Sequence, residues 1–248
     1  MKKTLLMCGV LLAFAAPAFA QTQIDLTWSD CPLGAAIINV NNACSSNAGS
    51  VGTMVVSYQP PAELDSLVAV LAIIDFQTGN AAGLSPWWHM EPGGCVKRVG
   101  AVGAGGNFTA NPPYVGCTDS WGLNGVAGFN YQPNTVAPLN GGRFKAAVGV
   151  VHDFAAVVTP DLMWYAVSVS IAKQGTVNSP CNAGCSEGAC FVVNELLLSE
   201  PAPIKDTSIT TGPQQWCTYN GTSVQLPPPC PSTPTHAGTW GSIKAAYR

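Results

Sequence analysis

Residues 67–77 have the sequence LVAVLAIIDFQ, and the choice between a helix and a strand for this run decides the fold class. Side chains branched at Cβ favour the pleated geometry of a sheet over a helix. Four residues of the run are of this type: Val68, Val70, Ile73 and Ile74. The tripeptide TGN that follows is a turn signal typical of a strand end. The sequence therefore predicts a buried strand.

Similar short runs recur along the chain. Residues 23–29 (QIDLTWS) alternate apolar and polar side chains, as a half-buried strand does. Further strands are predicted at 53–59, 143–154, 163–172, 190–198 and 203–211, with weaker ones near 100–103 and 126–131, and WWHM at 87–90 is expected to be a short strand or a bend. Gly, Pro and Asn turns separate the runs. The pattern predicts an all-β fold, a single antiparallel β-sandwich or jelly roll.

The first twenty residues have the three parts of a secretory signal peptide. Lys2 and Lys3 are followed by the apolar run TLLMCGVLLAFAA, and PAFA ends at Ala20 in a small-x-small pattern. We expect cleavage near Ala20 and a periplasmic, outer-surface or extracellular protein. The longest later apolar run, LVAVLAII, is far shorter than the roughly 18 residues of a membrane helix, so no transmembrane segment is expected.

The composition excludes some partners. The net charge is −3, which argues against nucleic acid and anionic membranes, because both require basic patches. Charged residues make up 9% of the chain, against a typical value of about 25%. Few charges give weak repulsion between molecules, which favours a protein that is assembled or packed on a surface.

Three segments are predicted after the signal peptide. Residues 21–226 form the β-sandwich, the proline-rich run at 227–236 is a linker, and 237–248 is an amphipathic tail. In this tail Trp240, Ile243 and Tyr247 recur on one face of a short helix. The tail either docks on its own domain or acts as a handle for sorting or surface attachment.

The cysteines indicate disulfides. After loss of Cys8 nine remain, and in an oxidising compartment we expect pairs among them, with one left over. Cys31–Cys44 and Cys95–Cys117 are predicted as local bridges, because each pair brackets one irregular segment. The late cluster is expected to give one local bridge, with its remaining thiol bonded to Cys217 or free, and the partner of Cys230 stays open. The cysteines expected in disulfides are Cys31, Cys44, Cys95, Cys117, Cys181, Cys185, Cys190 and Cys217.

Residues 179–190, SPCNAGCSEGAC, suggest two kinds of site that we reject. GCSEG at 184–188 spells the G-x-S-x-G of a serine hydrolase, but that nucleophile needs a strand before it and a helix after it. Here a loop precedes and a strand follows. The three cysteines, Cys181, Cys185 and Cys190, lack a second ligand pair or a nearby histidine for zinc. We predict a disulfide-bounded loop, and neither a metal site nor a cofactor.

The other polar residues form no coherent catalytic set. His152 and Asp153 are adjacent on a strand and point to opposite faces, and His236 lies in the linker. Glu195 is unusual inside an apolar run: it either faces solvent, with Asn194 opposite, or is buried and paired with Lys or Arg. One carboxylate does not make a glycosidase, which needs two. The asparagines at 39–47 lack a carboxylate for calcium.

The best indication of binding is WWHM at 87–90. Adjacent strand residues face opposite ways, so one of the indoles of Trp87 and Trp88 could lie on the surface as a stacking platform for a ligand. The alternative is that both indoles pack within the fold. We name Trp87, Trp88 and His89 as candidate binding residues.

Several short motifs together resemble a group of uncharacterised secreted proteins of environmental Gram-negative bacteria. They include WSDC at 28–31, Pro60-Pro61 before a strand ending in IDF, Trp87-Trp88, CFVVNE at 190–195 and the terminal TWGSIKAAYR. The resemblance spans most of the mature chain. It implies export and a β-rich fold and assigns no catalytic residue.

Two functions are in keeping with these features. The first is a non-catalytic secreted or cell-surface β-sandwich that binds or assembles, with a glycan or a cell-surface protein as partner. The alternative is a secreted hydrolase of carbohydrates or esters, using Glu195 and His89. Convergence of these two residues with another carboxylate in one cleft distinguishes the second function from the first.

Overall fold

The structure, a computed structural model, describes residues 22–109, 114–136, 140–150, 155–203 and 206–221. These residues form an all-β fold of mainly antiparallel sheets, which confirms the predicted fold class. The predicted signal peptide, linker and helical tail lie outside the described residues, as do Cys8, His152, Cys230 and His236.

The described ranges contain fourteen strands, joined by connections of very different lengths. They are β1 (Gln23–Trp28), β2 (Asn39–Val40), β3 (Ser50–Gln59), β4 (Leu64–Leu67), β5 (Ala69–Thr78), β6 (Val102–Gly105), β7 (Thr118–Asp119), β8 (Gly125–Val136), β9 (Gly141–Val150), β10 (Ala156–Val158), β11 (Trp164–Ala172), β12 (Ala189–Ser199), β13 (Thr207–Ile209) and β14 (Trp216–Tyr219).

Two sheets pack face to face. Sheet A has the order β1-β3-β11-β6, with β7 also paired to β11. Sheet B has the order β2-β14-β12-β5-β9-β8, with β13 also paired to β12. A small ribbon joins β4 and β10. The decisive run at 67–77 is thus the end of β4 and most of β5, a central strand of sheet B.

Alternation along the strands explains the sandwich. In β5, Val70, Ala72, Ile74 and Phe76 enter the core between the sheets. Phe76 packs there on Phe144 and Phe191, with ring centroids 5.1 and 5.5 Å away. The intervening side chains belong to the opposite side, which we call the outer face of sheet B. Apolar residues on this face are also buried: Leu71, Ile73, Val192 and Leu197.

The predicted local disulfides are wrong. The bridges are Cys31–Cys117, Cys44–Cys185 and Cys95–Cys181, with sequence separations of 86, 141 and 86. Strand pairing brings loops from distant parts of the chain together, so each half of a predicted pair meets another partner. Cys190 is also disulfide-bonded. Cys217, which was expected in a disulfide, is free and buried, and burial raises the pKa of its thiol.

The segment at 87–90 also differs from the prediction. Pro86–Trp88 is a short 3-10 helix, and His89 follows it as the C-cap residue. Proline at the first position fixes φ at a helical value, which favours a helical turn over a strand.

Strand β8 is the edge of sheet B, and its ladder with β9 is interrupted. The register shifts between Pro133 and Val136, and Asn134 has a φ of 56°. Pro133 has no backbone N–H to offer, so this part of the edge is poor in hydrogen-bond donors.

Buried Asp25 yields a stability prediction. Its Oδ1 accepts a hydrogen bond from the Gln214 backbone N–H at 3.1 Å, while its Oδ2 is buried without a partner. The hydroxyl of Ser57, which lies opposite in the ladder, is also buried without a partner. Burial raises the pKa of Asp25 above its ordinary value, although the Gln214 hydrogen bond lowers it.

We expect Asp25→Asn to increase the free energy of unfolding at pH 7 by about 1–2 kcal/mol. The new amide keeps the acceptor for Gln214 and offers Ser57 a donor. A raised folded-state pKa favours the folded state below the unfolded pKa, and that advantage is lost as the pH rises through the folded value. The gain should therefore vanish below about pH 4. Urea titrations at pH 3 to 8 test this. Asp65→Asn at an exposed position is the control, and an equal gain in both variants contradicts the prediction.

Candidate functional site

Trp87 and Trp88 are both fully buried, so neither is an exposed stacking platform. Their rings meet edge to face with centroids 4.7 Å apart. Trp88 packs on Phe76 of the core, and the Trp87 Nε1–H donates to the Thr176 hydroxyl at 3.1 Å. Because successive residues of a 3-10 turn need not point to opposite sides as strand residues do, both indoles enter the interior.

The fully buried Arg98 holds Trp87 in place. Its guanidinium lies 4.0 Å from the Trp87 ring centroid and donates to the backbone carbonyls of Trp87, Ala172 and Gln174 at 2.9, 2.6 and 2.6 Å. Burial lowers the pKa of Arg98 to about 10, so the group stays charged at neutral pH. Arg98 is thus a structural cation that ties three chain segments together.

His89 and Glu195 do not converge. The Nδ1 of His89 lies 2.8 Å from the Glu91 carboxylate, two residues along the same loop. Glu195 is buried on β12 and accepts a hydrogen bond from the Ser208 hydroxyl at 2.8 Å. Among the described residues the two share no hydrogen bond or ion pair. The contacts of His89 and Glu195 therefore give no support to the hydrolase alternative.

Of the two alternatives for Glu195, solvent exposure and burial, the structure shows burial. A β-bulge between Val193 and Glu195 inserts Asn194, so the simple alternation that placed Asn194 opposite Glu195 is interrupted. Asn194 and Arg143 both donate to the buried Asp75, Arg143 through two bonds of 2.6 and 2.8 Å. The Asp75 hydrogen bond, and more weakly the charge of Glu195, raise the pKa of Arg143. This network satisfies both carboxylate oxygens of Asp75 on the outer face of sheet B, while the Oε2 of Glu195 is buried without a hydrogen-bond partner.

The loop GCSEG is held as a turn before β12. Cys181 and Cys185 are oxidised in disulfides, as is Cys190, so none of the three is a thiolate ligand. The Ser85 hydroxyl donates to the Glu187 carboxylate at 2.5 Å. In the described part of the chain, no three His, Cys, Asp or Glu side chains gather as a metal site.

A cleft of about 680 Å³ lies on the outer side of sheet A. We call it the hydroxyl cleft. No charged side chain is among the residues that line it, which are Thr53, Gly103, Ala104, Gly105, Gly106, Asn107, Tyr114, Gly125, Ala127, Ser168 and Ser170. Its volume is within the range of about 300–1,000 Å³ that is typical of small-molecule sites.

Strand alternation places the hydroxyls in this cleft. In β11 the side chains of Val167, Val169 and Ile171 enter the core, so Ser168 and Ser170 point the other way. Ser170 pairs with Thr53 of β3, and their hydroxyl oxygens are 2.8 Å apart. Across the ladder, β6 contributes only glycines opposite the two serines, Gly105 and Gly103. Gly103 leaves its part of the floor open, because a Cβ there would meet no atom within 4 Å. Above Gly105 lies the Ser168 hydroxyl, which donates to the Gly105 carbonyl at 3.1 Å.

Tyr114 supplies the aromatic wall of the cleft. Burial raises the pKa of its phenol, while hydrogen bonds with Ser168 and Thr53 lower it. Its ring meets those of Phe108 and Tyr165 edge to face, with centroids 5.1 and 5.8 Å away. A half-buried tyrosine among hydroxyls offers both an apolar ring and a polar tip to a ligand.

The motif WSDC fixes the loop that carries Tyr114. Fully buried Asp30 accepts hydrogen bonds from the Tyr165 hydroxyl and, at 3.1 Å, from the Val115 backbone N–H. Burial, and then the Asp30 hydrogen bond, raise the pKa of Tyr165 to about 12. The Cys31–Cys117 bridge closes the same loop. The wall of the cleft is therefore held rigidly.

Close backbone approach also shapes this loop. A Cβ atom on Gly116 would lie 2.2 Å from the backbone nitrogen of Gly34, and one on Gly34 would lie 2.1 Å from the Asp30 carboxylate. Both positions therefore require glycine.

The residues of the hydroxyl cleft were missed from the sequence, although a signal was present. The strand MWYAVSVSIA alternates valine with serine, which marks one polar face of a strand. In the structure two such strands meet a glycine-containing strand beside a tyrosine. This meeting depends on the order of the strands in the sheet, which cannot be derived from the alternation of residues.

The described residues contain no helix long and apolar enough to cross a membrane. Three disulfides indicate folding in an oxidising compartment. No protein-family model and no curated protein matches the chain. A solved structure with some similarity is a cohesin module from a Clostridium perfringens family 33 glycoside hydrolase, at 7% identity and a TM-score of 0.29 over 77% of this chain and 98% of that one. A likeness this distant carries no conclusion about ligand or partner.

Proposed function

We propose that the protein is a secreted, non-catalytic binding module whose hydroxyl cleft takes a neutral saccharide. The observation that carries the proposal is the uncharged lining, with three aliphatic hydroxyls and one tyrosine around a glycine floor. An ionic ligand would leave its charge without a counter-charge, which is costly away from water. A neutral, hydroxyl-rich ligand exchanges hydrogen bonds with such a lining.

Two features favour a ring-shaped ligand over a linear polyol. Tyr114 presents an aromatic ring against which the apolar C–H face of a sugar packs. The backbone at Gly103 lies open opposite Ser170, so a flat ring has room to approach the sheet there. Glycine is expected at positions where a ligand approaches the backbone closely.

Filling the cleft tests the proposal. A Cβ on Gly103 would meet no atom within 4 Å, so Gly103→Leu fits the strand and occupies the cleft. Gly128 on β8 has the same free space and does not line the cleft, so Gly128→Leu is the matched control. We expect the mature protein to bind neutral oligosaccharides on a glycan array. Gly103→Leu should weaken this affinity about tenfold or more, and Gly128→Leu should leave it unchanged.

Tyr114→Phe refines the test, since it removes only the phenol oxygen. The loss of one hydrogen bond of about 1 kcal/mol corresponds to about a fivefold weaker affinity. Binding that Gly103→Leu leaves intact would place the ligand elsewhere. Binding of acidic glycans alone, or of no glycan, would refute the ligand class.

A further inference from the structure

We propose that residues 222–248 dock on the outer face of sheet B and are clamped there by a Cys190–Cys230 disulfide. The proposal does not depend on the function of the hydroxyl cleft. It rests on the cysteines, on the outer face itself and on the sequence that follows Gly221.

The cysteines identify the clamp. Cys190 is disulfide-bonded. The other described cysteines are accounted for, six in the three bridges and Cys217 as the free thiol. The sequence holds two more, Cys8 and Cys230. Since Cys8 lies in the predicted signal peptide, Cys230 is the partner in the mature protein.

Cys190 lies close to the point where the last described range ends, so only a short length of chain is needed to form this bridge. Cys190 lies opposite Thr218 in the β12–β14 ladder. Thr218 is three residues before Gly221, the end of the last described range. Eight residues lie between Gly221 and Cys230, and an extended chain covers about 3.3 Å per residue. The chain therefore has ample length to reach β12, the neighbour of the strand that it has just left.

The outer face of sheet B has the properties of a covered surface. Leu71, Ile73, Val192 and Leu197 are only 5–7% exposed, although alternation directs them away from the core. Cys190 and Val192 form a separate apolar cluster there, against which Trp216 packs. Apolar side chains on the outer face of a sheet leave water only if another segment covers them.

The C-terminal sequence offers a suitable cover. Its apolar residues Trp240, Ile243 and Tyr247 recur at the spacing of one helix face, and a helix of this length is marginal in water unless it docks. The clamp also raises the local concentration of the tail at the face.

Mapping and footprinting of the mature full-length protein test the proposal. Under non-reducing digestion, the Cys190 peptide should be linked to the Cys230 peptide. Hydroxyl-radical labelling should leave Leu71, Ile73 and Leu197 protected. The variant Trp240→Ala/Ile243→Ala/Tyr247→Ala keeps the clamp and should label several-fold more at these three residues. The control Thr235→Ala/Ser242→Ala/Arg248→Ala, with changes off the apolar face, should label like the parent.

Each contrary outcome overturns the proposal. In one such outcome Cys190 is linked to a cysteine of a second copy of the protein, seen as a dimer that separates on reduction. The partner of Cys190 would then be another chain and not the tail. The correct bridge with equal labelling of the parent and the apolar triple variant would show that the tail does not cover the face.

Discussion

Replacing Arg98 by methionine should lower the free energy of unfolding by about 4 kcal/mol. Methionine fills much of the space but leaves the buried carbonyl of Trp87 and the half-buried carbonyls of Ala172 and Gln174 without the guanidinium donors. Each unsatisfied buried group costs about 1–3 kcal/mol. Relief from burying a charge, which is the cause of the lowered pKa of Arg98, offsets part of that cost.

Urea unfolding followed by tryptophan fluorescence measures the effect, because Trp87 stacks on the guanidinium. Exposed Lys97 is the neighbouring control, and Lys97→Met should change stability by less than about 0.5 kcal/mol. Arg98→Lys keeps the charge but loses the planar guanidinium. Its loss of unfolding free energy should therefore lie between those of Lys97→Met and Arg98→Met. Equal stability of Arg98→Met and the parent would show that the guanidinium does not tie the three segments.

Removing the Cys44–Cys185 bridge with Cys44→Ala/Cys185→Ala should cost about 3–5 kcal/mol. This bridge has the largest sequence separation of the three, 141 residues, and the loss of chain entropy grows with the length of the closed loop. Its release should therefore broaden the unfolded ensemble more than release of either other bridge.

Calorimetric melting of the variant and the parent measures this effect. Cys217→Ala is the control, because it removes one buried sulfur without opening a disulfide and should cost only about 1 kcal/mol. A similar loss in both variants would assign the effect to packing and not to the cross-link.

The fold class could be predicted because it depends on local chemistry. The β-branched residues of 67–77 and the alternation of 163–172 favour strands whatever their partners. The order of the strands could not be obtained in this way. In sheet A, β3 pairs with β11, more than one hundred residues later, and only packing selects that pair.

The disulfides failed for the same reason. Cys31 and Cys44 bracket one loop, and the shortest closure predicts their pairing. In the fold Cys31 meets Cys117, because Asp30 and Tyr165 draw the loop at 115–117 towards it. Long-range contacts decided the pairing, and a cysteine spacing carries no information on them.

A local detail decided between the two alternatives for Trp87 and Trp88. The sequence left open whether one indole lies exposed or both pack in the fold. Pro86 starts a helical turn, and both enter the core. Arg98, which holds Trp87, had no distinguishing pattern in the sequence. Its role depends on carbonyls from distant segments.

The interrupted edge at β8 bears on how concentrated this protein can become. A sheet edge is a template on which a second molecule can add a strand, and many proteins prevent this with charged side chains. With only 9% charged residues, this chain has little of that defence. The protection comes instead from backbone shape at Pro133 and Asn134. An incoming strand finds no N–H donor at Pro133, and the shifted register beside Asn134 bends the edge away from it. Resistance to fibre growth along sheet B thus depends on backbone shape more than on electrostatic repulsion.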